Sequence, residues 1–196
     1  HIDYALRWES TMDEIDLGLS YFYGHDRAPL LLFDGSTFTP HYKLMGQTGL
    51  DIQGTYDEWL LKHESIYKTY NDNTLENIFS QTSGFEYTFF NAVDATDIGI
   101  LLEYSSSDQS EVLFDNDLFL GARLALNDVD STSFLVGIIK DLSKSSSLFS
   151  IEGSRRFGQD WFATLEVRLF SDIDPNDLFY AYHQDSFIHL ELARYF

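Results

Sequence analysis

The stretch Asp117-Leu118-Phe119-Leu120-Gly121-Ala122-Arg123-Leu124-Ala125-Leu126-Asn127 sorts into two sets. Leu118, Leu120, Ala122, Leu124 and Leu126 share one parity; Phe119, Gly121, Arg123, Ala125 and Asn127 share the other. Successive side chains of a β-strand point to opposite faces, so a period of two gives one apolar and one mixed face. On a helix Arg123 would turn into the apolar stripe. The stretch therefore reads as a strand. Two more segments repeat it. Trp161, Ala163, Leu165, Val167 and Leu169 alternate with Phe162, Thr164, Glu166, Arg168 and Phe170, and Ile98, Ile100, Leu102 and Tyr104 with Gly99, Leu101 and Glu103.

Extended along the chain, the same reading predicts eleven strands, near 3–11, 15–25, 41–54, 58–70, 84–93, 98–106, 117–127, 132–141, 147–157, 160–171 and 186–196. Short turns fall at Met12-Asp13-Glu14, Thr55-Tyr56-Asp57, Asp94-Ala95-Thr96-Asp97, Asp128-Val129-Asp130 and Gly158-Gln159. Longer polar loops fall at 26–40, 71–83, 107–116 and 172–185, with a short link at 142–146. Short turns at one end and long loops at the other are the pattern of an up-and-down antiparallel transmembrane β-barrel.

Composition narrows the alternatives. The 196 residues are one domain's worth, and 44% hydrophobic with 16% aromatic residues excludes a disordered chain. A net charge of −20, from 12 Lys+Arg against 32 Asp+Glu, leaves no basic face for nucleic acid. Without cysteine there is no disulfide scaffold, thiolate zinc site or cysteine nucleophile. No apolar run approaches the roughly 18 residues of a membrane-spanning helix. The chain starts at His1 and not at Met, which suggests a processed product or a fragment.

Alternation by itself fits a soluble sandwich as well as a membrane barrel. Three features favour the barrel: the same apolar parity in almost every strand, aromatics near the strand ends, and both signs of charge on the other parity. The aromatics are Trp8, Tyr21, Tyr23, Trp59, Tyr67, Tyr104, Trp161 and Phe196, as in interfacial girdles. The charged set, expected to line a lumen, is Arg7, Glu9, Lys43, Asp51, Lys62, Glu64, Glu86, Glu103, Arg123, Glu152, Arg156, Glu166, Arg168, His189 and Glu191. Arg168 is expected to pair with Glu191 or Glu152, leaving no bare carboxylate in the wall.

The last strand, Phe187-Ile188-His189-Leu190-Glu191-Leu192-Ala193-Arg194-Tyr195-Phe196, resembles the terminal strand of Gram-negative outer-membrane proteins, with a final aromatic and alternate apolar residues before it. Arg194 departs from that pattern, as a long cation that snorkels at the interface. From Gly84 onward the chain also looks like uncharacterised porin-like outer-membrane proteins. That likeness lies in the stretches Phe114-Asp115-Asn116-Asp117-Leu118-Phe119-Leu120-Gly121-Ala122-Arg123, Glu152-Gly153-Ser154-Arg155-Arg156 and Glu166-Val167-Arg168-Leu169-Phe170. The resemblance implies an outer-membrane location, contact with lipid and lipopolysaccharide, and Phe196 as the signal read by the barrel-assembly machinery. It leaves oligomeric state open and carries no catalytic motif. Bacterial single-chain barrels have even strand numbers with both ends periplasmic, so eleven strands imply at least one more ahead of His1.

Function then divides into a passive channel for small solutes and a small structural or adhesive barrel, with a rim hydrolase as a further alternative. Tyr182-His183-Gln184-Asp185 and Ser186 hold the residue types of a catalytic triad, but so close in sequence that they rarely align. The six histidines, His1, His25, His41, His63, His183 and His189, form no metal-binding spacing. No resident cofactor is expected. Asp172, Asp174 and Asp177 offer hard oxygen ligands of the kind calcium takes, in a loop end made acidic also by Asp108, Glu111, Asp115 and Asp117.

Overall fold

A computed structural model describes residues 2–109 and 112–196. The strands are β1 (Tyr4–Met12), β2 (Ile15–His25), β3 (Leu30–Phe33), β4 (Phe38–His41), β5 (Leu44–Tyr56), β6 (Trp59–Tyr70), β7 (Ile78–Val93), β8 (Thr96–Ser107), β9 (Asn116–Ala125), β10 (Ser133–Asp141), β11 (Ser147–Phe157), β12 (Trp161–Ser171) and β13 (Phe187–Arg194). One 3-10 helix, Leu178–Tyr182, lies in the last long loop. Eleven of the strands form one sheet in the order β1-β2-β5-β6-β7-β8-β9-β10-β11-β12-β13, every neighbouring pair antiparallel. The fold is all-β and up-and-down, as the alternation predicts.

The sheet is open: its eleven strands do not close into the barrel, which the sequence reading expects to need at least one strand more. Strands β1 and β13 are its two edges and share no ladder. The reason is directional: an odd number of alternating strands leaves the first and last pointing the same way. They cannot join as an antiparallel pair.

Other differences are local. The segment 26–40 is not plain loop but carries the β3–β4 hairpin. Its tip is an Asx turn in which Asp34 accepts the backbone N–H groups of Ser36 and Thr37, each at 2.9 Å. Strand β7 begins at Ile78, six residues before the expected 84, and β5 begins only at Leu44, leaving Lys43 outside the sheet. Leu126 lies past the end of β9, where its N–H donates to the Thr132 carbonyl. Between β7 and β8 the ladder shifts register between Phe89 and Val93, and Asn91 there has φ 51°. The hairpin ends place Asp13, Asp57, Asp94 and Gly158 in the left-handed region, which Asp and Gly tolerate best.

The ladders fix which side chains share a face, because directly opposed residues project to the same side. Leu61, Phe85, Leu102, Leu120, Ile138, Phe149 and Leu169 stand opposite one another in turn across β6 to β12. Leu6, Trp8, Leu19, Ile52, Ile100, Leu190 and Leu192 lie on this same apolar face and are exposed. Along β6 and β7 a polar patch of His63, Ser65, Gln81 and Ser83 interrupts it, where the His63 imidazole hydrogen-bonds the Ser83 hydroxyl at 2.8 Å and the Ser65 hydroxyl at 3.2 Å. Towards the turn end the apolar face becomes aromatic, with Trp59 packed on Phe85 and Tyr87, and Arg194 over the rings of Trp161 and Phe196. Towards the loop end it carries tyrosines whose hydroxyls bond asparagines: Tyr23 with Asn71, Tyr67 with Asn77 and Tyr104 with Asn116, each at 3.0 Å. Of the expected girdle residues, Trp8 and Tyr21 sit four residues in from the nearer strand end, Trp8 opposite Leu19 and Tyr21 opposite Leu6.

Among the described residues no second sheet or long helix packs on either side of the sheet. Among the described residues only Met45, Leu101 and Val167 are buried apolar side chains. Buried polar residues are more numerous: Asp26, Asp117, Thr132, Asp141, Ser146 and Asp177. A soluble domain of this length buries its aliphatic residues in a core. Here, apart from Leu101 and Val167 in mid-strand, the buried side chains lie near the strand ends and are mostly polar.

Candidate functional site

The other face of the sheet carries the charges. One cross-strand row runs Gly99, Arg123, Leu135, Glu152, Glu166 and His189 across β8 to β13. A second runs Glu9, Gly18, Asp51, Glu64, Thr82 and Ser105 across β1 to β8. Register puts Arg7, Lys62, Glu86, Glu103, Arg156, Arg168 and Glu191 on the same side. Every charged residue singled out from the sequence thus shares this face except Lys43, whose ammonium instead meets Asp72 at 2.5 Å between two loops. The same face also holds Asp16, Asp97, Asp117, Asp141 and Lys68, which alternation left uncounted. Acids outnumber bases on it.

Pairing across the face is partial. Arg7 bridges Glu9 and Asp51, the latter at 3.1 Å. Arg123 meets Glu86 at 3.3 Å. Arg168 meets Glu152 at 2.5 Å and Glu166 at 3.2 Å, holding together two carboxylates that the ladder sets directly opposite each other. Glu64, Glu103 and Glu191 have no ion pair among the described residues, nor do Lys62 and Arg156. The expected pairing of Arg168 is met through Glu152, but the wall does carry bare carboxylates, against expectation, because the register sets Thr164 opposite Glu191.

Glycines make room for this layer. A Cβ on Gly121 would sit 2.6 Å from the Phe119 ring, and Gly137, directly opposite it, is covered by the same ring. Phe119 lies flat along the sheet because two residues on adjacent strands lack side chains.

At the loop end the charged face is partly roofed. The last loop turns back so that Phe179 packs between Phe114 and Phe170, at centroid separations of 5.6 and 6.2 Å, with Tyr182 on Phe170 at 6.3 Å. Phe114 borders a hollow with Leu101, Glu103, Phe119 and Leu135, all on the charged side. Beside this roof lies an acidic cluster. One carboxylate oxygen from each of Asp115, Asp117 and Asp141 lies within 4.8 Å of the other two. Lys144 reaches Asp115 at 3.2 Å and Asp141 at 3.3 Å. Burial works against its ammonium, but the two carboxylates outweigh burial and hold its pKa above the usual lysine value.

Of the three loop acids read as calcium ligands, only Asp177 comes near this cluster. Asp172 and Asp174 shape turns instead. The Asp172 carbonyl accepts the Ser145 hydroxyl at 2.7 Å, and the Asp174 carboxylate accepts the Asn176 N–H at 2.8 Å. Asp108 accepts the Phe79 N–H at 3.3 Å, and Glu111, with His1, lies outside the described residues. Asp141 had no sequence signal of its own. Its signal was topological, since a hairpin centred on Val129 brings Asp117 opposite Asp141.

The rest of the rim is pinned by paired acids. Asp26 accepts from Lys68 at 3.3 Å, Tyr70 at 3.0 Å and the Ala28 N–H at 3.1 Å. Burial raises its pKa, but those donors and the Lys68 charge together bring it below the usual carboxylate value. At the opposite, turn end of the sheet the Thr132 N–H and hydroxyl hold the Asp128 pKa down, with Arg155 adding its charge. His183, Asp185 and Ser186 do not form a triad. The His183 ring stacks on Tyr180 and bonds its carbonyl, while the Ser186 hydroxyl accepts the Phe170 N–H.

Compared with known proteins, the chain matches no family model, no curated protein and no solved structure.

Proposed function

We propose that this chain is the wall of an outer-membrane β-barrel that passes small solutes, with a preference for cations. The observation that carries the reading is the division of one sheet into two faces. Large apolar side chains stand exposed on one, and nearly all strand charges stand on the other. An exposed apolar face of this extent needs a nonpolar surrounding, and in a barrel that surrounding is lipid. The aromatic turn end and the tyrosines at the loop end fit the two interfaces. The charged face then borders the lumen, where the surplus of acids favours cations by the field they set up. Closing the ring through antiparallel neighbours requires an odd number of further strands between β1 and β13. Phe196, at the turn end beside Trp161, is in the position of an assembly signal, and the acidic loop rim faces lipopolysaccharide.

The experiment is reconstitution into planar bilayers under a potassium chloride gradient. Discrete conductance steps with a cation-selective reversal potential support the channel. Insertion into vesicles without conductance removes the channel and keeps the membrane wall. Failure to insert removes both.

A second reading has one observation in its favour: the roof of Phe114, Phe170, Phe179 and Tyr182 on the charged face. A barrel obstructed in this way serves a structural or adhesive role. Conductance that appears only when 174–184 is shortened would favour it over the open channel.

A further inference from the structure

The acids at the rim are in excess over the cations that meet them. Asp117 and Asp141 are 5% and 4% exposed, and among the described residues Lys144 alone meets the trio of Asp115, Asp117 and Asp141, at Asp115 and Asp141. No Lys, Arg or His among the described residues comes within ion-pair distance of Asp117.

A second observation comes from a different part of the chain. Asp177 is 7% exposed and caps the 3-10 helix, where its Oδ1 accepts the Phe179 N–H at 2.9 Å. Its Oδ2 is buried and has no hydrogen-bond partner. The loop bearing it is seated on both flanks of the cluster. Phe179 packs on Phe114, next to Asp115, and the Asp174 N–H donates to Ser146 at 3.1 Å, in the loop after Asp141. Asp177 is close enough for its charge to act on Asp117, as do those of Asp115 and Asp141. A buried carboxylate oxygen without a donor costs on the order of 1–3 kcal/mol or more unless something positive satisfies it.

We infer that Asp115, Asp117, Asp141 and Asp177 form a divalent-cation site of the calcium class, which locks the last long loop onto the β9–β10 end of the sheet. Calcium binds hard oxygens at roughly 2.3–2.6 Å in flexible geometry, so ligands on opposite sides of one ion stand about 4.8 Å apart. The three clustered oxygens fit around one such ion. Asp177 stands outside that trio, and its unpartnered buried Oδ2 is the ligand that closes on the ion and ties the loop to the strands. Lys144 competes with the ion for Asp115 and Asp141. Magnesium, which demands a near-ideal octahedron and keeps its waters, fits less well. The inference stands independently of whether the chain conducts.

The test is calorimetric titration of chelator-stripped chain in detergent micelles with calcium chloride, and separately with magnesium chloride. The expected result is one saturable calcium site, weakened roughly tenfold or more in Asp141→Asn and in Asp177→Asn. Asp174→Asn, at a neighbouring turn, leaves it unchanged. Lys144→Met tightens it, because a competing charge is gone. That variant adds no strain to the carboxylates when the ion is present, so it reads out the site even if Asp117→Asn fails to fold. Absence of saturable calcium binding overturns the inference. So does equal weakening by Asp174→Asn, or loss of binding in Lys144→Met.

Discussion

The wall and the rim of this molecule obey opposite burial rules. Along the wall, Leu120, Ile138, Leu169 and Leu190 are exposed, although they are the residues a globule would hide. At the loop-side rim, Asp26, Asp117, Asp141 and Asp177 are buried, although they are the residues a globule would leave in water. A single sheet cannot bury either of its faces against itself, so the wall depends on its surroundings for its apolar energy. Loops folded over the sheet end do create an interior, but one made of the polar residues that loops contain. Burial in this fold marks where the loops close, not where a core is.

That contrast can be broken most directly on the wall. Leu120→Arg, mid-strand on the apolar face, is expected to cost about 2–4 kcal/mol if the face meets the bilayer midplane. Thr164→Arg, on the charged face opposite Glu191, should change stability by less than about 0.5 kcal/mol. Denaturant-dependent folding into lipid vesicles, followed by tryptophan fluorescence, measures both. Equal costs would mean that the two faces see the same solvent.

Next in size is packing within the wall. Gly137→Val should overpack against the Phe119 ring by about 1–3 kcal/mol. Phe119→Ala in the same chain should recover much of this, and the double-mutant cycle measures the coupling. Additive effects would show that the ring does not depend on the glycine.

The rim and the wall should also value their cations differently. Lys68→Met strips a buried Asp26 of its cation and should cost about 1–3 kcal/mol. Arg7→Met, in an exposed and solvent-screened cluster on the wall, should cost clearly less. Thermal unfolding of the two variants side by side ranks them.

The smallest expected effect is that of pH. Asp26, Asp34 and Asp72, all in the loop-side segments, have folded pKa values below the ordinary carboxylate value because the hydrogen bonds and cations they meet outweigh burial. Their stabilisation is therefore complete above about pH 4 and is lost as pH falls through the folded values. Amide exchange corrected for intrinsic rates should show acid opening the loop-side rim before the strand centres. Simultaneous loss along whole strands would place the acid-sensitive groups in the wall.

The wall was legible in the sequence because its signal is local. Alternation at Leu118, Leu120, Ala122 and Leu124 assigns strand and face together, and register then carries Arg123, Glu152 and Glu166 into one row. The hairpin at Leu30–Phe33 and Phe38–His41 was not legible, since the four consecutive apolar residues of its first strand show no alternation and its second contains Pro40. Nor was the acidic cluster, whose members come from the loop before β9, two strands and a distant loop. Asp172 and Asp174 sit close to Asp177 in sequence yet serve turns, because short acidic side chains bond their own backbone first. Sheet closure depends on the parity of the strand count. The residues in hand leave that count odd.

The scarcity of buried aliphatic side chains has a calorimetric consequence. The heat capacity of unfolding comes mainly from apolar surface newly exposed to water, about 12–15 cal/mol/K per residue in ordinary globular domains. Met45, Leu101 and Val167 contribute little of it. In a lipid or detergent phase that keeps hold of the unfolded chain, the leucines of the wall never reach water, so melting should show almost no heat-capacity step. Its enthalpy should then vary little with temperature, leaving a nearly straight stability curve and no cold denaturation in the accessible range.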